Sequence, residues 1–564
     1  MYSNTLNVIQ IDEQNFAVRK ELLAPKYYQY YPEIKNPEYQ LKMQGLDFVL
    51  VKAEQIIDDL EELMRPHEMD NYDYPFDGGR NNNYPNKKPY AHQKYTSRWL
   101  VSQTGRGAHV HNSMGTGKSL SALWAVDYLI KSGQIKKVLI LAPKVVMRSA
   151  WLKEITNEMI YLKTCIKQGV ARHRVSTAQI DIINHDGITS TLRKFKRQVG
   201  KKTYYDFHLC EEHYDLIIYD ECTAIKNTQT ERWKIFNQWF DYLHQRQGTR
   251  IWLLTGTPLA QSPLDAYGLA KVITPETIPT SLAKWRELTM KVAYKISEHV
   301  SKWVPTDESV EMCAKALQPS VRFELKDCTD LPEHQFIYVP VEKTATQHKL
   351  FEQLAREFII EVNENKTIFA ENAMSKRLKL FQLLSGAVYD EDRTSYEVDA
   401  SNKLEALLEI VDGLPEDQPV VVFTDFKHVQ NYLYNSLTSK GYKTELINGS
   451  VSGQGRSDIV TKVLNKEIKI VVCHTKTTAL GVDFTSTNVI VYFSPTQSNE
   501  LYLQSLDRIR RLSSLDKGFT SFLIYHLIAD PIEKKVYEGL QDKTMTQDRM
   551  LKLMRDGLSE ELTW

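Results

Sequence analysis

His111-Asn112-Ser113-Met114-Gly115-Thr116-Gly117-Lys118-Ser119 follows an extended-looking Ala108-His109-Val110 and opens onto the helical pattern Leu120-Ser121-Ala122-Leu123-Trp124-Ala125-Val126-Asp127-Tyr128-Leu129. A strand, a glycine-rich turn and a helix N-terminus in that order make a phosphate loop. The glycines let backbone N–H groups converge on an anion where the helix dipole already favours one. On this reading Met114, Gly115, Thr116 and Gly117 wrap the phosphates, Lys118 reaches the β- and γ-phosphates, and the Ser119 hydroxyl sits on Mg²⁺. The usual first glycine of the pattern is Asn112, so the match fails at one position.

Working outward, Tyr214-Asp215-Leu216-Ile217-Ile218-Tyr219-Asp220-Glu221-Cys222-Thr223-Ala224 reads as an apolar strand delivering two consecutive carboxylates to its C-terminal end. In an open parallel sheet that end is where ligands collect. Asp220 suits Mg²⁺, a hard cation, and Glu221 suits the alignment and polarisation of an attacking water. A third strand, Ile251-Trp252-Leu253-Leu254, ends in Thr255-Gly256-Thr257-Pro258, a tight turn whose hydroxyls are placed to sense the γ-phosphate through Glu221. Upstream of the loop, Lys88-Pro89-Tyr90-Ala91-His92-Gln93 precedes a helix through Trp99 and Leu100. The Gln93 amide offers the donor and acceptor that an adenine edge needs.

The totals set bounds. At 564 residues the chain is long enough for about three or four compact units. Its 42% hydrophobic and 25% charged residues are those of a soluble globular protein. Lys plus Arg equals Asp plus Glu at 71 each, so a nucleic-acid partner has to be met by a local basic stripe. The strongest such run is Arg193-Lys194-Phe195-Lys196-Arg197; with Lys144, after the strand Val138 to Pro143, it supplies the candidate phosphate contacts. Apolar runs are strand-sized and the N-terminus lacks the order of a signal peptide, so no membrane is expected and the protein is read as cytoplasmic. The six cysteines show no Cys-x-x-Cys spacing, which argues for reduced thiols.

Four regions are expected. Residues 1–85 carry short alternating runs suited to a small accessory domain, with tyrosines at 27, 28, 30 and 31 read as loop packing, and 77–86 reads as a linker rich in Gly and Asn. Alternating strand and helix over 86–275 makes a first doubly wound α/β lobe, and 401–564 makes a second. Between them, 276–400 reads as a mainly helical insertion. The second lobe has no phosphate loop. It carries instead Leu480-Gly481-Val482-Asp483-Phe484, whose Gly481 and Asp483 are assigned to the nucleotide, and Gln504-Ser505-Leu506-Asp507-Arg508-Ile509-Arg510-Arg511. Arg508 and Arg511 lie three apart and are expected on one helix face, as cations for charge developing on the γ-phosphoryl group.

With these pieces in order, the chain resembles a superfamily 2 helicase-like ATPase of the Snf2 family, in the manner of a bacterial or phage member. The resemblance covers about 88 to 545. It rests on Met114 to Ser119, Asp220-Glu221-Cys222-Thr223-Ala224-Ile225-Lys226-Asn227, Leu254 to Pro258, Leu331-Pro332, Ser401-Asn402-Lys403-Leu404 and Gln504 to Arg511. The departures are Cys222-Thr223 where the family usually has Ala-His, Asp483 where it usually has Asn, and Ser513-Ser514 where Gly-Gln usually comes after Arg511. The resemblance implies two tandem RecA-like lobes, ATP and Mg²⁺ as cofactors, and DNA, duplex or branched, as partner. It implies a monomeric, DNA-stimulated ATPase that steps along duplex DNA, in a host cytoplasm if phage-encoded. Two other readings are a strand-separating DNA or RNA helicase of the same superfamily and a non-catalytic DNA-binding scaffold. The scaffold predicts loss of at least one of Lys118, Asp220, Glu221, Arg508 or Arg511, and all are present.

Overall fold

The computed structural model describes residues 7–541 except 13, 44–45, 57–58, 66, 76–88, 201, 210–211, 260–261, 296–300, 330, 358, 364–365, 370–372, 391, 393, 479–481 and 497. The expected linker over 77–86 lies outside the described residues. The chain divides into two compact units, one ending at Cys328 and the next beginning at Thr329.

The first unit is built on a seven-stranded sheet in the order Ser320–Val321, Gly107–Val110, Arg250–Leu254, Leu216–Asp220, Val138–Ala142, Ile180–Asn184, Thr164–Ile166, every neighbouring pair parallel. Its central strands read as unbroken apolar runs because both faces are covered. Ala108, Val110, Ile140, Ile182, Ile218, Trp252 and Leu254 enter one core cluster. Their neighbours Leu139, Leu141, Ile183, Ile217, Tyr219, Ile251 and Leu253 enter the other. That split follows the two-residue period of a strand.

The second unit has a six-stranded, all-parallel sheet: His334–Pro340, Phe522–Ile528, Val489–Tyr492, Val420–Phe423, Ile470–Cys473, Thr444–Ile447. Lys403 and Glu533 are bonded at 2.7 Å with both side chains almost fully buried. The lysine of Ser401-Asn402-Lys403-Leu404 is therefore a structural cation. Burial raises the Glu533 carboxyl above its ordinary range, against the pull of Lys403.

Two expectations of organisation change. The N-terminal strands do form a sheet, antiparallel in the order Val8–Gln10, Asn15–Arg19, Leu46–Lys52, Gln40–Met43. However, Val18, Val49, Tyr27 and Tyr28 share one core cluster with Leu100 and Trp124 of the first lobe. Trp124 Nε1 donates to the Pro75 carbonyl at 2.8 Å, and the Tyr72 hydroxyl to the fully buried Asp127. A sheet this small buries too little alone and completes its core against the helix after the phosphate loop.

The expected helical insertion, in turn, is shared between the units. Trp285, Val310 and Cys313 pack into a first-lobe cluster, and Ser320–Val321 closes that sheet's edge. His334–Pro340 edges the second sheet, while Leu350, Leu354, Leu380 and Leu383 from the helices Ala345–Glu357 and Ala373–Leu384 form a cluster of the second unit. Among the described residues the region also holds three antiparallel strand pairs. Among the described residues no helix is long and apolar enough to cross a membrane.

Candidate functional site

Gly107–Val110, Arg250–Leu254 and Leu216–Asp220 are adjacent and parallel, with Val110 beside Leu254 and Leu254 beside Asp220. The glycine-rich loop, the Thr-Gly-Thr-Pro turn and the acidic pair therefore leave the same edge of the sheet. The turn is packed on the loop: a Cβ at Gly256 would lie 3.1 Å from Met114 Cγ. Thr255, fully buried, donates its N–H to the Val110 carbonyl at 3.0 Å.

Within the loop Gly115 and Gly117 take φ of 77° and 81°, a region that side chains rarely adopt, and the helix Lys118–Lys131 starts directly after Gly117. Its first N–H groups have no partner within the helix. Lys118 Nζ donates to the carbonyls of Asn112 and Ser113 at 2.9 and 3.1 Å. The Asn112 side chain bridges two elements: Nδ2 donates to Thr96 Oγ1 at 2.9 Å, and Oδ1 accepts from the Phe323 N–H at 2.9 Å. Where the usual pattern has glycine, this asparagine ties the loop to the extended segment through Phe323, whose carbonyl also accepts from the Ser113 N–H. Arg322, buried beside it, donates to the carbonyls of His111 and Gly256.

Gln93 is buried in the first turn of the helix Ala91–Ser102. Its Nε2 donates to the Thr116 carbonyl at 3.1 Å and its Oε1 accepts from the Tyr90 N–H. The donor end of its amide is thus taken by the loop and the acceptor end by the N-cap of its own helix. Ser119 stands half-buried in the first helical turn.

Asp220 ends its strand with both carboxylate oxygens held. Trp151 Nε1 donates to Oδ2 at 2.8 Å, and the Glu221 N–H to Oδ1 at 3.1 Å. The His185 ring bonds the Asp220 carbonyl at 2.9 Å through Nε2. Burial raises the Asp220 carboxyl above its ordinary range, against the Trp151 bond and the charge of Lys118. Glu154, one turn beyond Trp151, has a buried Oε2 with no hydrogen-bond partner among the described residues; burial and then Asp220 push its carboxyl up to about 8. Burial lowers His185 to about 4, so its ring is neutral at physiological pH. Glu221 has φ of 50°, a left-handed conformation that a non-glycine residue adopts at some cost, and it begins the short helix Cys222–Ile225. A half-buried carboxylate with its oxygens oriented by N–H donors and its ionisation disfavoured in this way fits a divalent cation, whose charge would relieve the cost of ionisation. The residues present thus fit nucleotide and Mg²⁺.

In the second unit the expected helix face is corrected. The helix Asn499–Leu506 ends before either arginine; Arg508 lies in a turn, and Arg511 is extended and precedes the short helix Leu512–Lys517. The two guanidiniums nevertheless converge, on the Val482 carbonyl, from Arg508 Nη1 at 3.4 Å and Arg511 Nη2 at 2.9 Å. Arg511 Nη1 also lies 4.0 Å from Asp483. Gly481 lies outside the described residues.

The basic candidates are not one surface feature of equal parts. Arg193 is held by Glu231 in a two-pronged pair, and Arg197 folds onto the carbonyls of Lys194 and Lys196. Lys194, Lys196 and Lys144 are exposed, the last on a separate loop after the strand Val138–Ala142. Sequence reasoning missed Asn112 as a bridge, Arg322, His185 and the bond from Trp151.

A family model described as SNF2-related domain matches residues 92–389, and one described as Helicase conserved C-terminal domain matches 402–513. The chain belongs to the SNF2-related family. It is 24% identical to the putative protein p41 of Acyrthosiphon pisum secondary endosymbiont phage 1, over 79% of this chain and 95% of that protein. It is 22% identical to the protein CHROMATIN REMODELING 24 of Arabidopsis thaliana, over 82% and 46%. It is 21% identical to the putative ATP-dependent helicase/translocase YwqA of Bacillus subtilis, over 82% and 48%. The chain thus spans nearly all of the phage protein and less than half of the plant and Bacillus proteins. The SWI2/SNF2 ATPase core of Sulfolobus solfataricus in complex with dsDNA is 18% identical, covering 83% of this chain and 94% of that one, with a TM-score of 0.37.

Proposed function

We propose that this Snf2-family chain is a DNA-stimulated ATPase that converts hydrolysis into movement along duplex DNA, acting as a monomer inside the cell and remodelling DNA structures or protein–DNA complexes. The observation that carries the reading is the convergence of phosphate loop, acidic pair and Thr-Gly-Thr-Pro turn on three adjacent strand ends.

The side chains divide the work. Met114 to Gly117 present backbone N–H groups to the phosphates, and Lys118 leaves the Asn112 and Ser113 carbonyls to pair with phosphate charge. Gln93 positions the adenine. Ser119 and Asp220 hold Mg²⁺, which supplies charge neutralisation on the phosphate oxygens. Glu221 orients the attacking water, its left-handed backbone turning it away from the line of the strand. Arg508 and Arg511 neutralise charge on the γ-phosphoryl group during turnover, and Gly481 and Asp483 serve as nucleotide contacts. Lys144, Lys194 and Lys196 contact DNA phosphates, joined by Arg193 and Arg197 when their present bonds open.

The test is ATPase stimulation by duplex DNA, branched DNA, single-stranded DNA and RNA in parallel, with triplex displacement reporting translocation. Stimulation by duplex together with displacement is the expected result. Stimulation by single strands or RNA alone, with strand separation, selects the helicase reading. ATP binding without turnover on any nucleic acid selects the scaffold.

A further inference from the structure

Trp151 is fully buried and sits in a single π-helical turn, Met147–Leu152, before α-helical geometry resumes at Lys153. Such turns insert a residue into a helix, rotate the side chains beyond the insertion, and recur at functional sites. Here the indole is aimed at Asp220 Oδ2, 2.8 Å away, while the Glu221 N–H takes Oδ1 and the His185 ring fixes the Asp220 carbonyl. An indole N–H is a donor only, and an ionised carboxylate is an acceptor only, so this bond cannot be reversed. We infer that Trp151 is a positioning residue of the acidic site: its N–H fixes the rotation of the Asp220 carboxylate and so strengthens the hold on Mg²⁺.

The inference rests on the assignment of Asp220 to Mg²⁺ made above. A bond from a neighbouring donor to a metal-binding carboxylate limits its rotation before the metal arrives, and loss of such outer partners weakens metal binding. The plainer alternative is that a buried indole must bond to something and that Asp220 is merely at hand. That alternative moves stability and leaves the Mg²⁺ requirement unchanged.

The experiment uses the full chain and a fluorescent ATP analogue, titrated with Mg²⁺ and repeated in EDTA. Trp151→Phe removes the N–H. A second protein carries β-(3-benzothienyl)alanine at position 151, keeping the ring shape without the N–H, for the case in which the phenylalanine variant does not fold. Asp220→Asn is the reference. The expected result is a Mg²⁺ midpoint raised about tenfold or more in the position-151 variants, with binding in EDTA unchanged. An unchanged midpoint in the benzothienyl protein, or an equal loss of binding in EDTA, overturns the inference. If Asp220→Asn itself leaves the midpoint unchanged, the Mg²⁺ assignment fails and the inference falls with it; if only Asp220→Asn moves it, the inference alone fails.

Discussion

The first lobe leaves its strand Gly107–Val110 through residues 111–117 and starts a helix on Lys118; the second leaves Val420–Phe423 through 424–426 and starts a helix on Lys427. The two units share strand, turn, helix and even the leading lysine. They differ in what fills the turn. In the first, two left-handed glycines hold the backbone open ahead of a helix N-terminus. In the second there is no glycine. The Thr424 hydroxyl bonds Ser494 Oγ at 2.8 Å, the Ser494 hydroxyl also accepts from the Asp425 N–H, and Gln430 Nε2 donates to the Thr424 carbonyl. The first turn presents a glycine-rich backbone ahead of a helix N-terminus, whereas the second ties up its hydroxyl, the Asp425 N–H and the Thr424 carbonyl within the unit and leaves Asp425 Oδ1 buried without a partner among the described residues. The sheet is common property, and nucleotide chemistry is decided in a few turn residues.

Three substitutions press on that contrast. The largest effect is expected at the second lobe's arginines: Arg511→Ala should slow ATP turnover by roughly a thousandfold while leaving nucleotide affinity near wild type. Equal loss of binding would make Arg511 part of the nucleotide pocket instead. Next, Lys403→Met strips the buried Glu533 of its partner, and the second unit should lose about 3–5 kcal/mol in denaturant unfolding, with the first unit's transition unmoved. The smallest effect tests the departure in the phosphate loop. Asn112→Gly restores the usual residue yet removes the bonds to Thr96 and Phe323, and should cost the first unit about 1–3 kcal/mol. A gain in stability would show that the bridge is incidental.

These contrasts also mark what could be read without coordinates. The buried parallel strands were legible because Val138-Leu139-Ile140-Leu141 or Leu216-Ile217-Ile218-Tyr219 leave no polar face, and the loop glycines because their spacing has a steric reason. The two-residue strand Ser320–Val321 was not, since two residues carry no period and its partner lies far back in the chain. The extent of the helix before Arg508 was misread for a related reason: a spacing of three shows that two residues share a face only if the helix persists, and here it stops at Leu506. At the acidic site, the sequence pattern identified Asp220 and Glu221, whereas Trp151 and His185 reach Asp220 from other strand ends and leave no local signature.

Of the two matched turns, the first lobe's is proposed as the phosphate site and the second's is not, and the most direct test is ATP binding by two matched variants, Lys118→Ala and Lys427→Ala, titrated side by side with a fluorescent analogue. Binding should collapse in the first and stay at wild-type strength in the second. Equal weakening in both, or loss only with Lys427→Ala, would contradict that assignment.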